Sequence, residues 1–236
     1  MVRVYYGEEL ARYGFGQGHP FGPDRLQAFW DEALRRGLDQ VVEVAPPVSC
    51  SEDDLLRFHT TDYVARVKQQ SVDGAGFLDY GDTSAFVGVF EAGCFVVGSV
   101  LDATTALMAA KVQRAFVPVA GLHRGIFVFN DIGVAINTLR ALHGVRRIAY
   151  VDIDAHHGDG VFYAFEEDVA GVTTARIWLA RGARWWKRWW AHETPLDFGA
   201  ASGYFFARRR FDTGRARRPG RSPNCSINLK QIRNAP

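Results

Sequence analysis

The sequence predicts an α/β fold with a largely parallel sheet flanked by helices. Three observations predict it. Strand-like and helix-like segments alternate through the first 170 residues. Arg147 to Ile153 (RIAYVDI) is a strongly β-prone run that ends in carboxylates, histidines and glycines. Phe86 to Ala110 is long, apolar and rich in small residues, the composition of a helix buried inside such a domain.

The elements follow in order. Val2 to Tyr6 is a short opening strand. Pro23 starts a helix whose apolar residues Leu26, Phe29, Trp30, Ala33 and Leu34 recur at helical spacing, and Gly37 ends it. Val41 to Val44 is strand-like. Ser51 is suited to cap a helix over Glu52 to Phe58, since its hydroxyl can accept an unpaired backbone N–H and the acids at 52–54 complement the helix start. A helix from Thr61 to Gln69 follows, and then a loop containing Gly74, Gly76 and Gly81. After the apolar helix, Ala115 to Val119 is a strand that Pro118 terminates or makes irregular. Asp131 to Leu142 is a helix, Arg147 to Ile153 a strand, and Gly158 to Glu167 a helix.

Length and composition narrow the function classes. At 236 residues, 47% hydrophobic and 23% charged, the chain has the proportions of one globular domain, with room for a tail. No uninterrupted apolar run reaches the about 18–20 residues of a membrane span, and the start lacks a basic segment followed by an apolar signal core. Cys50, Cys94 and Cys225 are odd in number and widely spaced, which indicates neither a disulfide framework nor a thiolate zinc site. These features favour a reducing, cytoplasmic setting without membrane contact.

The charge is unevenly placed. Residues 1–170 carry 14 Lys/Arg against 23 Asp/Glu, whereas residues 171–236 carry 14 Lys/Arg against 3 acids. Five of the six tryptophans, Trp178, Trp185, Trp186, Trp189 and Trp190, lie in that basic part. The composition therefore divides the chain into a domain over 1–175 and an Arg/Trp-rich tail over 176–236.

The chemistry concentrates in AYVDIDAHHGDG, residues 149–160. Side chains alternate along a strand, so Ala149, Val151, Ile153 and Ala155 share one face while Asp152, Asp154 and His156 share the other. Two carboxylates and an imidazole on one face, at the carboxyl end of a strand, sit where open α/β sheets place their ligand crevice. Adjacent buried carboxylates repel unless a cation or proton lies between them. Oxygen and nitrogen donors without thiolate suit Zn²⁺, Fe²⁺ or Mn²⁺.

The motif DIDAHHGDG at 152–160, with GLH at 121–123 and VFND at 128–131, resembles the zinc-dependent histone deacetylase superfamily, which includes acetoin-utilisation proteins and acetylpolyamine amidohydrolases. HPFGPDR at 19–25, FHTTDYV at 58–64 and GDTSAFVGVFEAG at 81–93 extend the likeness in family order over about residues 14–174. The resemblance implies an arginase/deacetylase-like fold and hydrolysis of an acetylated lysine or small acetylated amine. It further implies that Asp154 and His156 are zinc ligands, and that Asp152 bonds an active-site histidine and contributes to a structural K⁺ site. His123 matches the first of a tandem histidine pair, Asp159 the acid that orients the second histidine, Gly125 a glycine lining the acyl tunnel, and Asp82 an acid holding the substrate backbone.

The chain also departs from the family pattern. His123 is followed directly by Arg124, Gly125 and Ile126, so the second histidine, the family's main general base, is absent. The motifs of the third zinc ligand and of the oxyanion-stabilising tyrosine are not found; Tyr204 is a poor match. From about Ala175 the resemblance stops, and the tail reads as translation in a shifted frame. The alternative is a genuine basic tail whose aromatic and arginine residues bind single-stranded nucleic acid. A tail of foreign sequence would leave the C-terminal part of the sheet incomplete and its edges exposed. A catalytically inactive, truncated family member is thus the rival expectation. Among the remaining histidines, His59 reads as local packing or capping, His143 as a helix-terminal residue, His157 as a support for its neighbour, His19 as a rim residue through the resemblance alone, and His192 as isolated.

Overall fold

The computed structural model describes residues 1–15, 22–79, 81, 83–120, 128–152, 159–166, 172–176, 203–210 and 225–232, the last three segments as backbone alone. The opening strand, β1 (Val2–Tyr5), leads into a short helix α1 (Glu8–Ala11) and then α2 (Asp24–Arg35). Gly37 adopts φ +67°, a left-handed turn that stops α2 as its sequence predicts. One 3₁₀ turn later comes β2 (Glu43–Ala45), shifted from the expected Val41 start.

Ser51 forms a full capping box on α3 (Glu52–Leu55): its hydroxyl accepts the Asp54 N–H, and the Asp54 carboxylate accepts the Ser51 N–H at 2.8 Å. The helix is shorter than predicted, because the chain turns at 56–58 to aim Phe58 and His59 inward. Thr60 caps α4 (Thr61–Asp73), which runs four residues past the expected end to Gly74. Gly74 is required there: its φ is +68°, and a Cβ would lie 2.6 Å from the Val87 nitrogen.

Helix α5 (Val89–Met108) is the core of the domain and packs against α4 and β3 (Arg114–Val117). By length and composition it is long and apolar enough to cross a membrane, although Glu91 and Asp102 interrupt its apolar run. Most of it is buried within this fold. Helix α6 (Asp131–His143) lies against α5 and is followed by β4 (Arg147–Asp152). Only α7 (Asp159–Phe162) forms where a ten-residue helix was expected; residues 163–166 turn instead, placing Phe165 against Phe58 with ring centroids 6.1 Å apart.

β5 (Val172–Arg176), β6 (Gly203–Arg210) and β7 (Cys225–Ile232) complete a seven-stranded sheet of order β2-β1-β3-β6-β7-β4-β5. β1 is parallel to β2 and β3, and β4 is parallel to β5 and β7. β6 runs antiparallel to both β3 and β7, so the sheet is two parallel blocks joined through one reversed strand. The tail thus supplies two central strands, against the expectation that it leaves the sheet unbuilt. Their sequences account for this: Tyr204, Phe205 and Phe206 are β-prone aromatics, and Ile227 and Leu229 alternate with polar residues.

Alternation along β1 divides the core. Tyr5 belongs to the large cluster with α5 and α6, whereas Val4 joins Phe116 in a smaller one covered by Phe29 and Trp30 of α2. Helices therefore flank both faces of the sheet.

Candidate active site

The predicted site residues lie on four segments. Asp152 is the last residue of β4 and Asp159 the first of α7, and the backbone alone is described at both. Asp154, His156, His123, Gly125 and Asp82 lie outside the described residues, as do His19, His157 and His192. The strand alternation that groups Asp154 and His156 with Asp152 is therefore described only to the end of β4, where Ile148 and Tyr150, of the same parity as Asp152, are each 2% exposed in the large core.

The structure defines how the flanks of these segments are held. Residue 128, the first after 121–127, has both backbone groups taken by phenols. Its N–H donates to the Tyr13 hydroxyl at 2.7 Å, and its carbonyl accepts from the Tyr63 hydroxyl at 2.7 Å. Two positions on, the Asn130 N–H donates to Nε2 of His59 at 2.9 Å. The Asn130 side chain then works in two directions: Oδ1 accepts the Gly133 N–H at 2.8 Å, capping α6, and Nδ2 donates to the Gly160 carbonyl at 2.8 Å. Gly160 follows 153–158 by two residues. Asn130 thus ties the exit of the GLH segment to the exit of the DIDAHHGDG segment.

The segment carrying Asp82 is built separately. Phe77 bridges Ser84, and the Asp79 carboxylate accepts from Gly81 N, Thr83 N and Thr83 Oγ1 at 3.0, 2.8 and 2.7 Å, holding Gly81 and Thr83 close to Asp79. Burial, with the Asp79 charge adding to it, pushes the Tyr63 phenol up to about 12. Tyr63 therefore stays protonated and remains a donor.

His59 packs locally as its sequence predicts, between the rings of Phe58 and Tyr63, and it also makes contacts far along the chain, with the Phe129 ring and with Asn130, 71 residues away. Burial lowers its pKa from 6.5 to about 4, so it is neutral, with Nε2 free of a proton to accept from Asn130. In the unfolded chain the same histidine titrates near 6.5, so between these values the unfolded state binds more protons. Stability contributed by neutral His59 is complete above about pH 6.5 and is lost as pH falls toward 4, by up to about 3 kcal/mol. Urea denaturation at pH 7 and pH 5 should show this fall in the natural chain and a smaller one in His59→Gln.

Tyr13, Tyr63 and Asn130 were not singled out as functional from sequence, although FHTTDYV and VFND contain two of them. Among the described residues, no three His, Cys, Asp or Glu side chains converge on a metal site.

Comparison with known proteins assigns the class. The histone deacetylase domain model matches residues 19–183, and the chain belongs to that family. The match runs past Ala175, beyond the last recognisable motif. The acetoin utilization protein AcuC of Bacillus subtilis (strain 168) is 32% identical over 180 residues, covering 69% of this chain and 46% of that protein. Human histone deacetylase 1 is 28% identical over 221 residues, covering 87% of this chain and 44% of that protein, and probable histone deacetylase 1-A of Xenopus laevis gives the same values. The chain spans about half the length of the curated relatives it matches.

Proposed function

We propose that residues 1–175 form part of an arginase/deacetylase-like domain that hydrolyses the amide bond of an acetylated amine, either acetyl-lysine in a protein or a small acetylated amine such as a polyamine. The observation that carries this reading is the tie at Asn130, which joins the two segments bearing the family's catalytic motifs. Asp154 and His156 supply an oxygen and a nitrogen donor, a set that fits Zn²⁺, with Fe²⁺ as the alternative ion. Such an ion, when bound, supplies Lewis acidity toward the amide carbonyl.

The remaining roles belong to the chain. His123 moves a proton between the attacking water and the leaving amine nitrogen. Asp152 orients that histidine and contributes to a K⁺ site. Asp159, whose family role is to orient the second histidine, here has Arg124 in the sequence position where that histidine would stand. Asp82 holds the substrate backbone, and Gly125 leaves room for the acyl chain.

The test is zinc content and turnover of the full chain on an acetyl-lysine peptide and an acetylated polyamine. Zinc binding is expected to be weaker than at a three-ligand site and to be lost in Asp154→Ala, with turnover falling to background, since Asp154 and His156 are only two of the about three protein ligands a catalytic site uses. A chain that binds no zinc and turns over neither substrate would overturn the reading. The missing second histidine favours one second reading, a member that binds zinc without catalysis, and zinc binding without turnover would establish it.

A further inference from the structure

Cys50 and Cys94, 44 positions apart, are brought together at a place the proposed reaction does not use. The Cys50 N–H donates to the Cys94 carbonyl at 3.0 Å, and the Cys94 side chain lies near enough to Cys50 to raise its thiol. Their apposition is built into α5. Cys94 and Gly98 are one turn apart on one helix face. The missing side chain at Gly98 admits the backbone of 48–50, which approaches so closely that a Cβ there would lie 2.1 Å from the Val48 oxygen and 2.5 Å from the Cys50 nitrogen. Val48 N–H is held in turn by the Ser99 hydroxyl at 3.2 Å. With standard bond lengths, the 3.0 Å hydrogen bond limits the Cys50–Cys94 Cα separation to about 7 Å. That limit reaches only just beyond the range that disulfides span. Cys50 is half-buried and reachable by a small oxidant, while Cys94 is buried.

We propose that Cys50 and Cys94 form a reversible intramolecular disulfide, a redox-closed staple between the segment entering α3 and the core helix α5. The oxidant is a small-molecule disulfide of the glutathione class. The Cys50 thiolate attacks one sulfur of the oxidant and releases one equivalent of thiol. The Cys94 thiol gives up its proton and attacks the Cys50 sulfur of the mixed disulfide, releasing the second equivalent. Two protein thiols are thereby oxidised and one small disulfide is reduced to two thiols. The Cys94 side chain and burial both push the Cys50 thiol up, keeping the thiolate fraction small, so closure is slow, on the scale of hours.

The staple stands next to the candidate site. Gly93, adjacent to Cys94, packs against Val128 and Phe129, and α3, which begins two residues after Cys50, leads to His59 and its bond to Asn130. Closure would fix both supports of the 128–130 segment to each other.

The test uses the full chain equilibrated overnight with oxidised and reduced glutathione, then alkylated and mapped by mass spectrometry. A Cys50–Cys94 linked peptide is expected, persisting in Cys225→Ser and absent from Cys94→Ser. The closed loop should raise the melting temperature of the oxidised chain by several degrees, on the order of 5 °C or more. Alkylation of both cysteines without a link, a stable glutathione adduct on Cys50, or a link from either cysteine to Cys225 would each overturn the proposal. Neither zinc binding nor turnover enters this test.

Discussion

Replacing Gly98 with alanine should lower the melting temperature by about 10 °C. The new methyl would meet three backbone atoms, Val48 O at 2.1 Å, Cys50 N at 2.5 Å and Ser49 C at 2.5 Å, none of which can rotate aside as a side chain would. Relief requires parting the 48–50 segment from α5, and that breaks the Cys50–Cys94 backbone bond and the Val48–Ser99 bond. Overpacking costs about 1–3 kcal/mol, and each lost hydrogen bond about 1 kcal/mol. The sum, on the order of 3–5 kcal/mol, corresponds to roughly 10 °C for a chain of this size. Gly37→Ala is the control. A methyl at that position would have no neighbour within 4 Å, and only the φ of +67° opposes it, at about 1–2 kcal/mol. Thermal melts followed by circular dichroism separate the two, and a Gly98→Ala melt within about 2 °C of the natural chain, less than 1 kcal/mol, would mean that the segment moves freely off the helix.

Gly98 also illustrates which features of the fold could be read from the sequence. Helices α2, α4 and α6 and the cap at Ser51 are local matters of apolar spacing, side-chain oxygens and stop signals, and they form within a few residues of the predicted positions. The alternation of elements likewise implied a sheet with helices on both sides. The length of α7 was not legible, because residues 163–166 leave the helix to seat Phe165 on Phe58 and beneath the Arg140 guanidinium, contacts made far along the chain. The reversed direction of β6 is a pairing property that period-two alternation does not encode.

At the site, the motif residues stood out because carboxylates and histidines are conspicuous at the end of an apolar strand. Their supports did not. Tyr13 reaches Val128 across 115 positions and His59 reaches Asn130 across 71, and a tyrosine or histidine with such a partner has the same local sequence as one without. The Cys50–Cys94 pair was hidden for the same reason: spacing along the chain is informative about cysteines only when loops are short.

Asn130 joins the local and the long-range parts of this structure, and its substitutions should separate them. The side chain is 3% exposed and satisfied at both ends, by the Gly133 N–H and the Gly160 carbonyl. Asn130→Ala removes the helix cap, worth about 1 kcal/mol, and strands a buried donor and a buried acceptor at a further 1–3 kcal/mol, for a loss of about 3 kcal/mol. Asn130→Asp is nearly isosteric and keeps an acceptor for Gly133, where a negative charge suits the N-terminus of α6. It loses only the donor to Gly160, and it sets a carboxylate oxygen against that carbonyl. Hydrogen exchange at the Gly133 amide should therefore stay slow in Asn130→Asp and become fast in Asn130→Ala, whereas exchange across α7 should speed up in both. Lowering the pH should distinguish repulsion from mere loss of a bond, because a protonated carboxyl regains the donor that asparagine carries. The stability deficit of Asn130→Asp should shrink on going from pH 7 to pH 5 when both chains also carry His59→Gln, which removes the His59 titration that a carboxylate at 130 would shift. If the deficit is unchanged across that range while Gly133 remains protected, the Gly160 bond contributes nothing to stability. In that case the exits of the 121–127 and 153–158 segments are held together by the packing of Phe58, Phe129 and Phe165 alone.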